Sequence, residues 1–79
     1  MPTIQDIIVS RIEKAFQPAE LEVTVISAEE AKYKVRIVSA SFDNVPLIQR
    51  HRMVNDLFGE ELRSGIIHAL SISAKPPPS

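Results

Sequence analysis

The sequence predicts a small α+β domain in the order α-β-β-α-(α)-β, a three-stranded sheet with helices packed on one face. Two observations predict it. Apolar residues recur at helical spacing in two stretches, residues 4–16 and 47–62, and with a period of two in three others, 21–26, 32–40 and 66–74. Proline, glycine and short polar runs separate these stretches where a compact chain needs turns.

In the first helix, Ile4, Ile7, Ile8, Ile12, Ala15 and Phe16 form one stripe. Thr3 is placed to cap it, with Asp6 as the acid of a capping box, and Pro18 stops it. The first strand sets Leu21, Val23 and Val25 on one face and Glu22 and Thr24 on the other. Ser27 to Ala31 is a polar connection without glycine, so an antiparallel hairpin joins this strand to the next. The second strand turns Tyr33, Val35 and Ile37 inward and Lys34 and Arg36 outward.

Ser41 to Pro46 is the next break, with Asn44 as a cap and Pro46 in the first helical turn. The following stripe runs through Leu47, His51, Val54, Leu57, Phe58 and Leu62 and sets His51 against the sheet. Gly59 is suited to kinking or dividing this helix and Gly65 to ending it. After the last strand, Pro76-Pro77-Pro78 closes the ladder, which gives one domain over residues 1–75 and a proline-rich tail over 76–79.

With 79 residues the chain holds one core and little room for a deep substrate cavity. At 44% hydrophobic and 24% charged residues it has the composition of an ordinary globular domain. A net charge of −1 gives no general attraction to nucleic acid or anionic lipid. Without cysteine there is no disulfide, thiolate metal site or thiol nucleophile. No apolar run approaches the ~18 residues of a membrane span. Met1-Pro2-Thr3 leads directly into the first helix, so no signal peptide is expected.

An enzyme is not expected. The serines lie in no glycine-flanked elbow, and two glycines do not make a phosphate loop. Glu29-Glu30 and Glu60-Glu61 read as solvated surface, since adjacent residues on a helix point apart. His51, within Arg50-His51-Arg52, reads as a half-buried, hydrogen-bonded packing residue. His68 has two readings, a strand-end histidine or a metal ligand, and spacing alone does not separate them. One histidine is too few for a metal site, so a site at His68 requires completion by another molecule. Lys32, Lys34, Arg36, Arg50 and Arg52 form the only positive concentration. They read as solvated charge, with Arg52 placed to pair with Asp56, or as a weak nucleic-acid or partner face.

Two segments carry a family resemblance. Phe42-Asp43-Asn44-Val45-Pro46-Leu47-Ile48-Gln49-Arg50-His51-Arg52-Met53-Val54-Asn55 resembles the BolA signature, an aromatic-acid-glycine turn leading into an Arg-His-Arg helix. Ile67-His68-Ala69-Leu70-Ser71-Ile72-Ser73-Ala74-Lys75-Pro76 resembles the family's closing strand. Their separation and the preceding helix and hairpin match as well, so the resemblance covers essentially the whole chain.

The resemblance implies a fold like the type II KH domain and partnership with a monothiol glutaredoxin. Such pairs hold a two-iron two-sulfur (2Fe–2S) cluster between them. The glutaredoxin cysteine and glutathione serve one side, and a histidine of the closing strand, matched by His68, serves the other. His51 matches the signature histidine of the helix, which the family does not generally use as a ligand. The implied function is that of an adaptor in iron–sulfur cluster assembly, trafficking or iron-status signalling. The isolated chain is then expected to be a colourless, monomeric apo-protein, located in the cytoplasm, or in the mitochondrion after loss of a transit peptide.

The sequence departs from the family pattern at three places. Asn44 replaces the usual glycine, although asparagine tolerates left-handed backbone. Three prolines follow Lys75, so the frequent C-terminal helix is absent or shortened. Aligned on Tyr33, the position that usually offers a second histidine or cysteine ligand is Lys32, and an ammonium has no lone pair. That substitution keeps open a partner that binds glutaredoxin without metal. The alternative from another class is a nucleic-acid-binding transcriptional regulator on the KH-like fold. Against it, the Phe42–Val45 turn is not the glycine-x-x-glycine loop that clamps a backbone.

Overall fold

In a computed structural model of the chain, residues 2–78 are described; Met1 and Ser79, the last residue of the predicted tail, lie outside the described residues. Helix α1 spans Ile4–Phe16. The predicted capping box is present: the Asp6 amide donates to Thr3 Oγ1 and the Thr3 amide to Asp6 Oδ2, each at 3.1 Å. Gln17, left-handed at φ 41°, ends the helix one residue before Pro18. The stripe buries Ile8, Ile12 and Phe16, while Ala15 faces solvent.

Strands β1 (Glu20–Ser27) and β2 (Lys32–Val38) form the predicted antiparallel hairpin, with a register shift at Ile26. Ala31 closes the glycine-free turn by adopting φ 54°. The second strand stops at Val38, two residues earlier than its pattern suggests, because the chain turns there. Buried Ser39 donates its hydroxyl to the Phe16 carbonyl at 2.6 Å and accepts from the Ser41 amide, starting a short 3-10 turn over Ala40–Phe42. That serine ties the end of β2 to the end of α1.

Asn44 is not a cap. It takes φ 60°, the left-handed turn position that glycine would otherwise fill, and Pro46 occupies the N-cap without a side-chain hydrogen bond. The helix divides at Phe58 into α2 (Leu47–Leu57) and α3 (Gly59–Ser64), and Gly65 at φ 86° ends α3. The last strand, β3 (Ala69–Lys75), begins three residues later than its pattern suggests. The Ile67 amide is held by the Glu61 carbonyl at 3.0 Å instead of entering the ladder.

The strand order is β1-β2-β3, with β3 parallel to β2. A parallel neighbour needs a crossover, which the 3-10 turn, α2 and α3 supply. Tyr33, Val35 and Ile37 of the central strand meet Ile8, Ile12 and Phe16, and Phe42, Val54, Phe58, Ile67 and Ala74 complete the core. The predicted stripe holds from His51 through Val54, Leu57, Phe58 and Leu62, and only its first member departs from it. Leu47 is 60% exposed, and Met53, Val54 and Leu57 face inward with Phe58 behind them.

Candidate functional site

The hairpin and the entry to β3 meet at one end of the sheet. The amides of His68 and Ala69 both donate to the Ala31 carbonyl, at 2.8 and 3.3 Å, and Lys32 pairs with Ala69 in the ladder. Left-handed Ala31 therefore turns its carbonyl toward the segment before β3. The His68 side chain is exposed and makes no hydrogen bond to another described residue. Beside it, Lys32 Nζ contacts Glu30 Oε2 at 2.7 Å, a pair open enough to water to contribute only about 0–1 kcal/mol. Exposed Ile66 lies two residues before His68, and exposed Val25 and Ile26 lie on β1 at the same end of the sheet.

These groups suit a single ligand from this chain. An exposed imidazole without an internal partner keeps a lone pair for a metal, while the Glu30 carboxylate is engaged by an ammonium. Among the described residues, no three side chains of the histidine, cysteine, aspartate or glutamate type gather in a way that holds a metal ion.

The five basic residues singled out in the sequence do not form one face. Lys32 sits at the hairpin. Lys34 and Arg36 point to the side of the sheet away from the helices, in rows with Thr24 and Ser71 and with Glu22 and Ser73. Arg36 also lies 3.6 Å from Glu20. Arg50 belongs to the helical layer and is committed to backbone: its Nε donates to the Val45 carbonyl at 2.7 Å, and one terminal nitrogen to the Ala74 carbonyl at 3.1 Å. Arg52 is exposed, and among the described residues it forms no ion pair with Asp56. His51 is half-buried as its position on the stripe suggests, yet its imidazole makes no hydrogen bond to another described residue. Arg50 makes the polar tie to the sheet that the sequence pattern assigns to its neighbour.

One site escaped the sequence pattern. Glu61 is not a solvated acid. Arg11 grips it through both terminal nitrogens, at 2.7 and 3.3 Å, and donates also to the Leu57 carbonyl. The hydrogen bond from Arg11 holds the Glu61 carboxyl below its ordinary range, and Glu61 in return raises Arg11. Fifty positions separate the two residues, so no periodicity links them. Among the described residues, no helix is long and apolar enough to cross a membrane.

Comparison with known proteins gives a consistent result. Residues 12–78 match the family model described as BolA-like protein. SufE-like protein 1, chloroplastic/mitochondrial, of Arabidopsis thaliana is 39% identical over 85% of the chain. The chain spans only 22% of that protein's length and about half of several other relatives it matches. The protein named DNA-binding transcriptional regulator BolA in Haemophilus influenzae is 38% identical, over 95% of this chain and 79% of its own length. Among solved structures, BolA1 from Arabidopsis thaliana superimposes with a TM-score of 0.89 at 34% identity, over 98% of this chain and 95% of that one.

Proposed function

The chain belongs to the BolA family of BolA-like proteins, and from that premise we propose that it is a non-enzymatic adaptor that binds a monothiol glutaredoxin and lends His68 to a 2Fe–2S cluster held between the two. One observation carries the proposal: the 2.8 Å bond from the His68 amide to the Ala31 carbonyl, which anchors an exposed imidazole against the hairpin. The glutaredoxin cysteine and glutathione supply thiolates, which this chain lacks altogether. Exposed Ile66, Val25 and Ile26 offer apolar area for a partner at the same end of the sheet. The relationship to a SufE-like protein points in the same direction, toward iron–sulfur chemistry.

Within such a pair the work of this chain is positional. Its backbone holds one imidazole at the rim, and the Lys32–Glu30 pair occupies the hairpin place where a second donor would stand. The cluster is cargo, not a resident group, so a complex with one protein ligand on this side releases it more readily than one with two. The test is the visible absorption of the complex after co-expression with a monothiol glutaredoxin. Cluster bands that differ from those of the glutaredoxin alone support the proposal, and unchanged bands refute it.

A second reading, binding of nucleic acid in transcriptional regulation, is favoured by exposed Lys34 and Arg52 and by the name of the Haemophilus influenzae relative. Two facts weigh against it as the main role. The basic side chains are divided between the open sheet face and the helical layer, and Arg50 is already committed to carbonyls. Any such affinity is weak and falls steeply with salt, since each neutralised phosphate releases about one counterion.

A further inference from the structure

Helix α3 has six residues and buries none of them fully. A helix of that length is not stable through its own hydrogen bonds. Leu62 packs partly on the core, and the polar attachment comes from Arg11 on the first helix. Its guanidinium touches three successive parts of the crossover. It donates to the Leu57 carbonyl at 3.1 Å, a group the end of α2 leaves without an intrahelical partner. It lies 5.3 Å from the ring centroid of buried Phe58, where the helix breaks. It forks onto both carboxylate oxygens of Glu61 within α3.

The contact continues through Glu61 toward His68. The Glu61 carbonyl accepts from the Ile67 amide at 3.0 Å, and Ile67 is buried in the core. His68 therefore stands between two anchors, the Glu61 carbonyl through Ile67 and the Ala31 carbonyl through its own amide. We propose that Arg11 is a positioning residue for His68: by clamping Leu57, Phe58 and Glu61 it sets the place of α3, and so of the segment that carries the imidazole to the hairpin. The proposal rests on His68 being the ligand proposed above. Arg11 touches neither cluster nor partner in this role. Lysine does not replace it, because a single ammonium cannot hold a carboxylate bidentately and cap a carbonyl together.

The test begins with the isolated chain, where no cluster is involved. Amide hydrogen exchange is followed by NMR in the parent, in Arg11→Leu, in Arg11→Lys, and in the exchanged pair Arg11→Glu with Glu61→Arg. Leucine retains apolar contact with Phe58, so the fold survives. In Arg11→Leu, exchange at Ile67 and His68 is expected to quicken about tenfold or more relative to Val35 and Ile37 of the central strand. Arg11→Lys gives a smaller change, and the exchanged pair restores part of the protection. Equal acceleration everywhere makes Arg11 a general stabiliser and overturns the proposal, as does unchanged exchange at Ile67 and His68. The same variants are then placed with a monothiol glutaredoxin and glutathione. Arg11→Leu is expected to shift the visible circular dichroism of the cluster toward that of His68→Ala. A spectrum that Arg11→Leu leaves at the parent's while His68→Ala changes it overturns the role of Arg11. A spectrum unmoved by His68→Ala refutes the ligand assignment itself, leaving the exchange result as a property of the fold.

Discussion

Replacing Arg50 by alanine removes two hydrogen bonds to carbonyls of different segments, Val45 before α2 and Ala74 near the end of β3. The Ala74 carbonyl is costly to abandon. Across the β2–β3 pairing the Ser39 amide reaches the Lys75 carbonyl, so the neighbouring carbonyl of Ala74 faces the free edge of the sheet. Among the described residues, the side chain that serves it is the Arg50 guanidinium. Hydrogen bonds from a charged group contribute about 1.5–3 kcal/mol each, toward the lower value where water can enter. Arg50 is half-buried, so the expected loss is about 2–3 kcal/mol. In a domain of this size, that lowers the melting temperature by roughly 10–20 °C. His51→Ala, which loses partial packing and no internal hydrogen bond, is expected to cost about 1 kcal/mol or less. Thermal and urea unfolding of both variants decides the matter. If Arg50→Ala melts with the parent, or if His51→Ala is the less stable of the two, the division of roles within Arg50-His51-Arg52 is wrong.

Three further outcomes follow from the same contacts. Ser39→Ala strips a buried hydroxyl from the Phe16 carbonyl and is expected to cost about 1–3 kcal/mol in urea unfolding, where a loss under 0.5 kcal/mol would count against that tie. Glu61 has a carboxyl held below its ordinary 4.5, so its contribution to stability is present above that pH and is lost as pH falls through the lowered folded-state value. Glu61→Gln is therefore less stable than the parent at neutral pH, and the gap closes in acid; a gap independent of pH contradicts the pairing. Lys32→His places an imidazole beside Ala69, the neighbour of His68, and is expected to slow cluster loss to a chelator in the glutaredoxin complex. Unchanged lability, with His68→Ala still effective, means that the second ligand comes from elsewhere.

What the sequence revealed and what it hid divide along contact range. The ends of α1 were legible because Thr3, Asp6 and Pro18 act within a turn of the residues they control. The hairpin was legible from alternation, and the helix break and its end from Gly59 and Gly65. The start of β3 was not, since the Ile67 amide is diverted by Glu61, a choice that alternation does not record. The inward face of α2 was legible from its stripe except at the first turn. Leu47 fits the stripe but is the first residue of α2, about two turns before the core residue Val54, and is left in solvent. Arg11 with Glu61, and Ser39 with Phe16, are polar contacts between residues far apart in sequence, and polar contacts of that kind leave no period. His68 was identified by resemblance, whereas its closeness to the hairpin is a property of the parallel pairing of β3 with β2.

The central claim is that His68 is this chain's ligand to a shared cluster, and one comparison tests it most directly. The parent and His68→Ala are each co-purified with a monothiol glutaredoxin and glutathione, and complex formation and visible circular dichroism are measured on the same samples. Because the His68 side chain is exposed and bonds to no described residue, its removal is expected to leave the fold and the apo-complex intact. The cluster spectrum should then revert to that of the glutaredoxin alone. An unaltered heterocomplex spectrum in His68→Ala, with the complex still formed, would contradict the account.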